Sequence, residues 1–364
     1  QAEDGIRDRS PSRGLGDVYK RQVYRFSSFG DIAMIVPVLR SFYQVYPEQK
    51  IIFVSRDFVK PLFEEFPHIT FKGVEFRHKY KGLKGLLILY KELKKERVVA
   101  VADLHGVLRT FVLNLLFRLS FYKVSSINKG RNERRKLIRK KNKVFQPLTP
   151  THFRYCEVFR KLGFPLDLNN HEYPNQPLLT NDSLKGIVDA NKQIIGIAPF
   201  ASNEGKTYPL DHMQKVISYL QKDNLVLLFG GVGDNLDQLR VWENAYGNAI
   251  DMSRKYNLTE QIAIMYYLDI MISMDSANGH IAANCGIPVL TIWGLTHPFC
   301  GFKPFDQPIE NSLTLDRKKY PEIPTSIFGD RIPNNYEFAF RSLDPKTVIE
   351  KVLEILDSSR YHHS

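Results

Sequence analysis

Short apolar runs that alternate with amphipathic segments constrain the fold of this chain more than any other feature. The runs are Val23 to Phe26, Ile51 to Val54, Val98 to Ala102, Ile194 to Ala198, Leu225 to Phe229, Ile270 to Ser273 and Val289 to Ile292. Runs of four or five apolar residues indicate strands buried on both faces, as in parallel sheets covered by helices. Between the runs, apolar residues recur at the helical period. The chain is therefore predicted to be an α/β protein.

The pattern occurs twice, and a loop-rich stretch from about Phe164 to Ser183 separates the two halves. At roughly 150 residues per domain, a chain of 364 residues is expected to form two domains, which we place at residues 23–175 and 176–343. Asp344 and Pro345 then open a last helix, since proline is favoured in a first helical turn. Residues 344–364 are therefore expected to form a C-terminal helix and tail.

Composition excludes several classes of protein. The hydrophobic content of 43% is ample for two cores, and the three cysteines are scattered without metal-ligand spacing. Free thiols are typical of a reducing compartment. No apolar run approaches the ~20 residues of a membrane span, because Arg109 and Arg118 interrupt the longest candidate, Leu108 to Tyr122.

The first 22 residues differ in character from the rest of the chain. They show no periodicity, and Gln1 to Asp8 reads like a translated adapter sequence. We interpret residues 1–22 as a non-native tail and exclude them from fold reasoning. A short basic tail is the alternative.

Polar residues follow the predicted strands at the ends where parallel sheets bind ligands. In the first half they are Ser28, Gly30, Asp31 and His105; in the second half they are Ser202, Lys206, Gly231, Asp234 and the turn Asp275 to His280. If the two sheets turn these ends toward each other, the residues meet in one cleft between the domains.

The turn from Asp275 to His280 lies between a predicted strand and a predicted helix. We expect Asp275 and Ser276 to cap that helix, whose N-terminus would also attract a phosphate through its free N–H groups and its dipole. An ordinary capped turn explains the same residues equally well.

Five segments in order resemble glycosyltransferase family nine, the heptosyltransferases of lipopolysaccharide core assembly. They are Arg25 to Asp31 with Pro37 to Arg40, Asp103 to Thr110, Pro199 to Pro209, Phe229 to Gly231, and Asp275 to His280. The resemblance covers roughly Val23 to Leu356. It implies a GT-B fold, in which two Rossmann-like domains face each other across a cleft and a C-terminal helix crosses back to the first domain.

The resemblance also implies roles for the polar residues. An inverting, metal-independent transfer of heptose from an ADP-activated donor needs a base for the acceptor hydroxyl and positive charge for the departing diphosphate. Asp31 is the candidate base and Lys206 the candidate cation. The donor site would comprise Ser202, Lys206, Gly231, Asp234, Asp275, Ser276, Ala277, Asn278, Gly279 and His280. No cofactor besides the substrate nucleotide sugar is implied, and the chain has no Asp-x-Asp pair that could hold a metal.

Two positions depart from the family pattern. Ala277 and Asn278 stand where the family usually has glycine soon after the Asp-Ser pair, and Phe200 replaces a common glycine. Both touch the expected nucleotide pocket, so they leave the base and the sugar of the donor open.

A basic run from Lys129 to Lys143 contains nine Lys or Arg residues and one Glu, in a chain of net charge +12. Basic clusters gain ~1 kcal/mol per residue near an anionic leaflet, so we expect a mobile segment that binds the anionic lipid A–core acceptor at the inner face of the plasma membrane. The acceptor candidates are Ser28, Gly30, His105, Arg109, Arg134, Arg135 and Lys136. A solvated surface is the alternative for the run, and no nucleic-acid motif accompanies it.

Other functions fit the same sequence. The chain could be a GT-B enzyme for another nucleotide sugar, including an epimerase, or a non-catalytic module that binds an anionic glycolipid. A cytoplasmic, peripherally membrane-associated glycosyltransferase accounts for the largest number of the residues above.

Overall fold

The computed structural model describes residues 20–188, 192–230 and 234–360 and contains two parallel β-sheets. The first sheet has the order β3-β2-β1-β4-β5, and the second has the order β11-β10-β9-β6-β7-β8. The strands are β1 (Lys20–Tyr24), β2 (Lys50–Ser55), β3 (Ile69–Gly73), β4 (Val98–Asp103), β5 (Lys123–Ser126), β6 (Ile194–Ala198), β7 (Leu225–Leu228), β8 (Ala249–Asp251), β9 (Ile270–Met274), β10 (Val289–Trp293) and β11 (Ser312–Thr314).

Helices cover both faces of each sheet. They are α1 (Phe29–Ala33), α2 (Val36–Val45), α3 (Gly82–Lys94), α4 (Leu108–Leu119), α5 (Arg131–Ile138), α6 (Thr151–Leu162), α7 (Asp182–Val188), α8 (Leu210–Leu220), α9 (Asp234–Ala245), α10 (Met252–Lys255), α11 (Leu258–Met265), α12 (Ala277–Asn284) and α13 (Pro345–Arg360). Short 3₁₀ helices lie at Asp57–Phe63, Glu204–Lys206, Pro298–Cys300, Ile309–Asn311 and Ala339–Ser342.

The seven strands predicted from apolar runs are the interior strands of the two sheets. The strands that the sequence did not reveal are β3, β5, β8 and β11, which are the four sheet edges. An interior strand in a parallel sheet is buried on both faces and therefore reads as a continuous apolar run. The edge strands β3, β5 and β11 are partly exposed and carry polar residues, and β8 is only three residues long.

The strand order places one switch point in each sheet. In the first sheet the chain builds outward from β1 in one direction and from β4 in the other; in the second sheet it does so from β6 and β9. A crevice opens beyond the carboxyl ends at such a point. The loops that leave these four strands carry Asp31, His105, Lys206 and Asp275, so topology alone gathers these residues at the two crevices.

The two halves of the chain are held together by a shared core and by hydrogen bonds. A single cluster of buried apolar residues includes Ile32 and Val36 of the first half and Ile281 and Ala282 of the second. The amide of Asn284 donates to the carbonyl of Ala33 at 2.9 Å. Across the same junction, the guanidinium of Arg40 donates to the carbonyl of Asn284.

The last helix packs on the second sheet. Val348, Val352 and Ile355 of α13 join a core that contains residues of β6, β9 and α8. The expectation that this helix crosses back to the first domain is therefore wrong, because its apolar face is already covered by the second. Within the residues that the structure describes, no helix is both long and apolar enough to cross a membrane.

The first strand begins at Lys20, three residues before its predicted start. Residues 1–19 of the proposed tail lie outside the described residues, but Lys20 to Gln22 pair with β2 and β4. Gln22 lies beside Ile52 and Val101 in the sheet and is fully buried, and neither polar atom of its amide has a hydrogen-bond partner. The strand therefore contains a polar residue where its neighbours are apolar.

Replacing Gln22 with leucine should stabilise the fold. Leucine has a similar size, and the change removes an unpaired buried amide whose desolvation costs roughly 1–3 kcal/mol. Urea unfolding should show the gain in the free energy of unfolding, whereas Thr70→Leu on the exposed face of β3 should change little. A loss of stability in Gln22→Leu would mean that the amide has a partner in solution.

Candidate functional site

A cleft of about 560 Å³ lies between the two switch points. Its walls come from the loop that follows β1, from the loops that follow β6 and β7, and from the start of α12. The lining residues are Ser28, Phe29, Gly30, Asp31, Phe58, Phe200, Ala201, Ser202, Lys206, Gly230, Asn235, Leu258, Gln261, Asp275, Ser276, Ala277, Asn278, His280, Phe302, Ile327 and Phe328. Asp31 and Asp275 thus face one cleft from opposite sheets. We call the side formed by the residues after β1 the first wall, and the side formed by the loops after β6 and β7 and the start of α12 the second wall.

A larger cavity of about 770 Å³ lies between α6 and residues 298–309. None of the sequence-predicted site residues lines it. The cleft gathers charged groups from both sheets at their carboxyl ends, and it is therefore the candidate functional site.

Asp31 is the acidic group on the first wall of the cleft. It occupies the third position of α1, where its carboxylate accepts a hydrogen bond from the Ser28 hydroxyl at 2.7 Å. The Arg25 guanidinium forms an ion pair with the same carboxylate oxygen at 2.7 Å. Asp31 is therefore more than a helix-capping residue, because a buried cation orients it toward the cleft.

The charge of Asp31 follows from these contacts. Burial would raise the pKa of the carboxyl, but the Arg25 guanidinium and the Ser28 hydrogen bonds outweigh it, so the pKa lies below its ordinary value. The carboxylate is consequently ionised at neutral pH and can accept a proton from a group that enters the cleft.

The two walls meet where Gly30 lies against His280. A Cβ atom at position 30 would lie 3.2 Å from the imidazole of His280 and 3.5 Å from the backbone of Ala277. Burial lowers the pKa of His280 to about 4, although Asp275 and Asp31 oppose the shift. A neutral imidazole thus lies between the charged groups of the two walls, and its Nδ1 is buried without a partner.

Lys206 and Asp275 form the charged group of the second wall. The ammonium of Lys206 lies 3.0 Å from the carboxylate of Asp275, and both side chains are largely buried. The hydroxyl of Thr296 donates to the same carboxylate at 3.2 Å. Asp275 therefore holds the lysine at the cleft wall and does not cap α12.

The N-terminus of α12 opens into the cleft without a side-chain cap. Ser276 occupies the N-cap position, but its side chain accepts no bond from the first turn and lies 3.2 Å from the hydroxyl of Ser273. The prediction that Asp275 and Ser276 cap this helix is therefore wrong. The uncapped amides and the helix dipole leave positive potential at the start of α12, close to Lys206.

The remaining donor-side candidates differ in position. Ser202, Ala277 and Asn278 line the cleft. Gly279 instead faces the sheet, where a Cβ would lie 3.0 Å from the Ser273 hydroxyl, so this glycine allows close packing of α12. Gly231 lies outside the described residues, as does the side chain of Asp234 at the start of α9.

Gly230 accounts for part of the glycine pair after β7. Its φ of +86° is in the left-handed region, and a Cβ would lie 2.7 Å from the amide nitrogen of Asn278. The backbone conformation favours glycine, and the missing side chain leaves room for the amide of Asn278 on this side of the cleft.

His105 supports the first wall from behind and does not line the cleft. Its Nδ1 accepts from the backbone of Phe26 at 3.4 Å, and its Nε2 lies 3.3 Å from the Ser27 hydroxyl. Burial, reinforced by Arg25, lowers its pKa to about 3. Of the two predicted possibilities, acceptor contact and structural hydrogen bonding, the second describes its position. Arg109 is exposed on α4, with its guanidinium over the ring of Phe76.

The basic run forms helix α5 and an anchored connection, which corrects the expectation of a mobile segment. Leu137 is fully buried, and the ammonium of Lys143 donates to the carbonyls of Leu137, Glu322 and Pro324. The hydrogen bonds to Glu322 and Pro324 bind the segment to the second half of the chain. An ordered basic surface therefore flanks the cleft.

The three arginine and lysine candidates in α5 do not share one environment. Arg134 is half-buried, with its guanidinium 5.1 Å from the ring centre of Phe302, a cleft residue. Arg135 and Lys136 are exposed and lie outside the cleft lining. Only Arg134 is placed to touch a molecule in the cleft.

A cavity of about 360 Å³ lies beside the first wall, between Gly106 and the start of α5. Lys129 and Arg131 line it. Burial lowers the pKa of Lys129, and the neighbouring Arg25 lowers it further. Lys129 also interacts with the charge of Asp31, so this basic cavity lies next to the candidate base.

Sequence reasoning assigned no role to Arg25, Thr296 or Phe302. Arg25 and Thr296 follow the carboxyl ends of β1 and β10, so the rule that selected Asp31 and Lys206 could have found them. Phe302 lies in a loop without such a signal, and only the fold brings it to Arg134.

A family model described as glycosyltransferase family 9 (heptosyltransferase) matches residues 88–326. Lipopolysaccharide heptosyltransferase 3 of Escherichia coli is 27% identical to this chain over 322 residues, which cover 83% of this chain and 89% of that protein. The residues matched by the family model include the loops after β4, β6 and β9, whereas the loop after β1 that leads to Asp31 lies before them.

Solved structures share the fold. A glycosyl transferase family 9 structure from Veillonella parvula superposes with a TM-score of 0.71 at 17% identity, covering 95% of this chain and all of that one. The structure of E. coli ADP-heptose lps heptosyltransferase II gives a TM-score of 0.64 at 16% identity, covering 94% and 99%. The predicted arrangement of two Rossmann-like domains across a cleft, GT-B, is confirmed.

Breaking the Lys206–Asp275 pair should be costly. Asp275→Asn leaves a buried ammonium without its counter-charge, which we expect to lower the free energy of unfolding by about 2–4 kcal/mol. Lys206→Met combined with Asp275→Asn should cost less than the sum of the single changes, because the double variant buries no unpaired charge.

Urea unfolding of the four proteins in this double-mutant cycle measures the coupling. The same cycle on Lys185 and Asp182, an exposed pair 2.8 Å apart, is the control and should show no coupling. Strictly additive losses at Lys206 and Asp275 would contradict a buried pair.

Proposed function

The chain belongs to glycosyltransferase family 9, the heptosyltransferase family, and from this we propose that it transfers a heptose from ADP-heptose to a lipopolysaccharide inner-core acceptor. The transfer inverts the anomeric centre and needs no metal ion. Membership makes the chain a glycosyltransferase. The observation that carries the finer proposal is the placement of Asp31 opposite Lys206 and the N-terminus of α12 in one cleft.

The donor diphosphate would bind at the second wall. The uncapped first turn of α12 offers N–H groups, and Lys206 offers an ammonium within the same cleft. Asp275 neutralises Lys206 in the structure. A diphosphate would compete for that ammonium and leave Asp275 bonded to Thr296, so donor binding exchanges one partner of Lys206 for another.

The nucleoside would occupy the part of the cleft between Phe200 and Gln261. The ring of Phe200 lies parallel to Trp242 at 6.5 Å and presents an apolar surface to the cleft. An aromatic surface suits a purine base. Adenine is our choice of base because the E. coli heptosyltransferase II of the same fold is named for ADP-heptose.

The acceptor hydroxyl would approach from the first wall. Its oxygen forms a bond to the anomeric carbon while the bond from that carbon to the diphosphate oxygen breaks, and ADP leaves. The hydroxyl proton passes to Asp31. Base and leaving group act from opposite walls, which favours a single displacement with inversion.

Charge neutralisation of the leaving diphosphate would come from the protein itself. Lys206, the start of α12 and the neutral His280 all face the place where the negative charge develops. Such fixed donors can stabilise a leaving group without a metal ion.

The acceptor would be an anionic core saccharide linked to lipid A at the inner face of the plasma membrane. Lys129, Arg131 and Arg134 surround the approach to Asp31. The relative in E. coli is named for lipopolysaccharide. A saccharide that carries carboxylates or phosphates fits this basic approach through charge-assisted hydrogen bonds.

A second candidate is a GT-B enzyme that uses another nucleotide sugar. Three residues that line the cleft depart from the family pattern, namely Phe200, Ala277 and Asn278. These departures leave the identity of the donor sugar open and are the reason for a second candidate. Product analysis with a panel of nucleotide sugars separates the two candidates, because only the first requires ADP-heptose to be the best substrate.

Replacing Asp31 should stop transfer without preventing donor binding. Loss of a general base costs about 10²–10⁴-fold in rate, so Asp31→Ala and the shape-matched Asp31→Asn should lower kcat by that factor. Calorimetry should find ADP affinity little changed, whereas Lys206→Ala should weaken it.

Asp223→Ala, at an exposed position of the second domain, is the control for both changes. Normal turnover in Asp31→Asn would exclude the role of base.

Chelation should leave the reaction intact. With the diphosphate charge met by Lys206 and α12, the rate in EDTA should equal the rate in Mg²⁺. The measurement is the initial rate of ADP release in either buffer. A strict Mg²⁺ requirement would show that the protein groups are insufficient.

A further inference from the structure

Helix α4 has an apolar solvent face. Leu108, Phe111, Leu115 and Leu119 recur at intervals of three and four residues, and all four are exposed, Leu108 by 79% and Leu119 by 69%. The opposite face, with Leu113 and Phe117, is buried against the first sheet. A surface helix normally places polar residues on its solvent face, so α4 is apolar on both sides.

Helix α3 lies against α4 and extends this surface. Leu83, Leu87 and Ile88 are exposed on α3. Contiguous exposed apolar surfaces of this kind usually mark an interaction site. We name the seven residues of α3 and α4 together with Phe121 the α3–α4 face.

Phe121 is the most exposed large apolar residue of the face. It follows the C-terminus of α4 with a φ of 63°, and 98% of its surface is accessible. The left-handed conformation after a helix end favours glycine, so a phenylalanine there is strained. Its ring makes almost no contact within the protein, so the fold does not account for its presence.

The charges around the face are almost all positive. Lys84 and Lys91 lie among the leucines of α3, while Arg109 and Arg118 flank the stripe of α4. Glu92 is the sole carboxylate in the two helices, and it is neutralised by Lys72 and Lys79 at 2.8 Å each. The face is therefore complementary to a partner that has negative charges at its surface and an apolar interior directly below them.

This combination favours a lipid surface over a protein partner. Lysine is depleted in protein interfaces, but lysine and arginine beside an apolar stripe can hold their stems along acyl chains and their charges among lipid headgroups. The exposed leucines of α4 and the exposed ring of Phe121 are suited to insertion as far as the boundary between lipid headgroups and acyl chains.

We propose that the α3–α4 face inserts into the surface of an anionic phospholipid bilayer, with Phe121 as its deepest residue. The proposal rests on the proposed function in one respect: α4 begins directly after the loop of His105, behind Asp31. A bilayer along α4 would reach the His105 loop at Leu108, the end of the helix opposite Phe121, and a lipid-linked acceptor would approach the first wall from that end.

The test is partition onto vesicles of phosphatidylethanolamine and phosphatidylglycerol. A variant with Leu115→Gln, Leu119→Gln and Phe121→Gly removes three side chains of the face without touching the cleft. Its partition coefficient should fall at least about tenfold, since each side chain contributes burial on the lipid side. Partition of the unchanged protein should persist in part at high salt, because the apolar contribution is not screened.

The matched control changes three exposed apolar residues elsewhere, Leu178→Gln, Val241→Gln and Phe338→Ser. It should bind vesicles as the unchanged protein does. Thermal unfolding supplies the structural readout: Phe121→Gly alone should keep or raise the melting temperature, because glycine relieves the left-handed strain.

Three results would overturn the proposal. They are equal partition of the triple variant and the unchanged protein, absence of vesicle binding by both, or a dimer in light scattering that the triple variant abolishes. Transfer to a soluble, de-acylated acceptor should be unaffected in the triple variant. Vesicle binding without any transfer from ADP-heptose would contradict the proposed function and leave the α3–α4 face supported.

Discussion

The close approach of helices α1 and α12 is the constraint on which the site depends. Each helix begins at the switch point of its own sheet, and the two beginnings touch where Gly30 meets His280. A side chain at position 30 would lie tight against His280, so the neighbouring groups would have to shift by a few tenths of an ångström. The hydrogen bonds of Asn284 and Arg40 across the same junction fix the spacing, so the base on one wall and the cation on the other are held at the distance the cleft requires.

The charged groups of the cleft form internal pairs. Arg25 neutralises Asp31, and Lys206 neutralises Asp275, while His280 between them is neutral. A buried pair loses stability when one partner is removed, so a ligand that separates Lys206 from Asp275 must supply a replacement charge. The anionic diphosphate can do so for Lys206. Ordered binding, with the donor first, would follow if the acceptor hydroxyl needs the sugar in place to reach Asp31.

Much of the fold could be predicted from the sequence, because interior strands of a parallel sheet consist mainly of consecutive apolar residues. The four edge strands could not, since half-exposed strands carry no such run. Apolar residues recur at the helical period from Ile32 to Tyr46, but the structure divides this stretch between α1 and α2. The position of α13 was wrong because it was taken from a resemblance and not from the apolar face of the helix.

The residues of the site could be predicted from the sequence, but the contacts between them could not. The rule for strand carboxyl ends selected Asp31, Lys206, Asp275 and Asn278, all of which line the cleft. It could not indicate that Ser276 leaves α12 uncapped or that Gly279 packs against Ser273, since both depend on distances of a few tenths of an ångström. The basic run looked mobile because it contains few apolar residues, yet the buried Leu137 and the hydrogen bonds of Lys143 anchor it.

The most direct test of the central claim is a crystal structure with a non-transferable ADP-heptose analogue and a de-acylated acceptor. In this structure the diphosphate should accept hydrogen bonds from the first amides of α12 and from Lys206, and the acceptor hydroxyl should lie within hydrogen-bond reach of Asp31. A diphosphate bound instead in the cavity beside Lys129, or an acceptor hydroxyl remote from Asp31, would contradict the central claim.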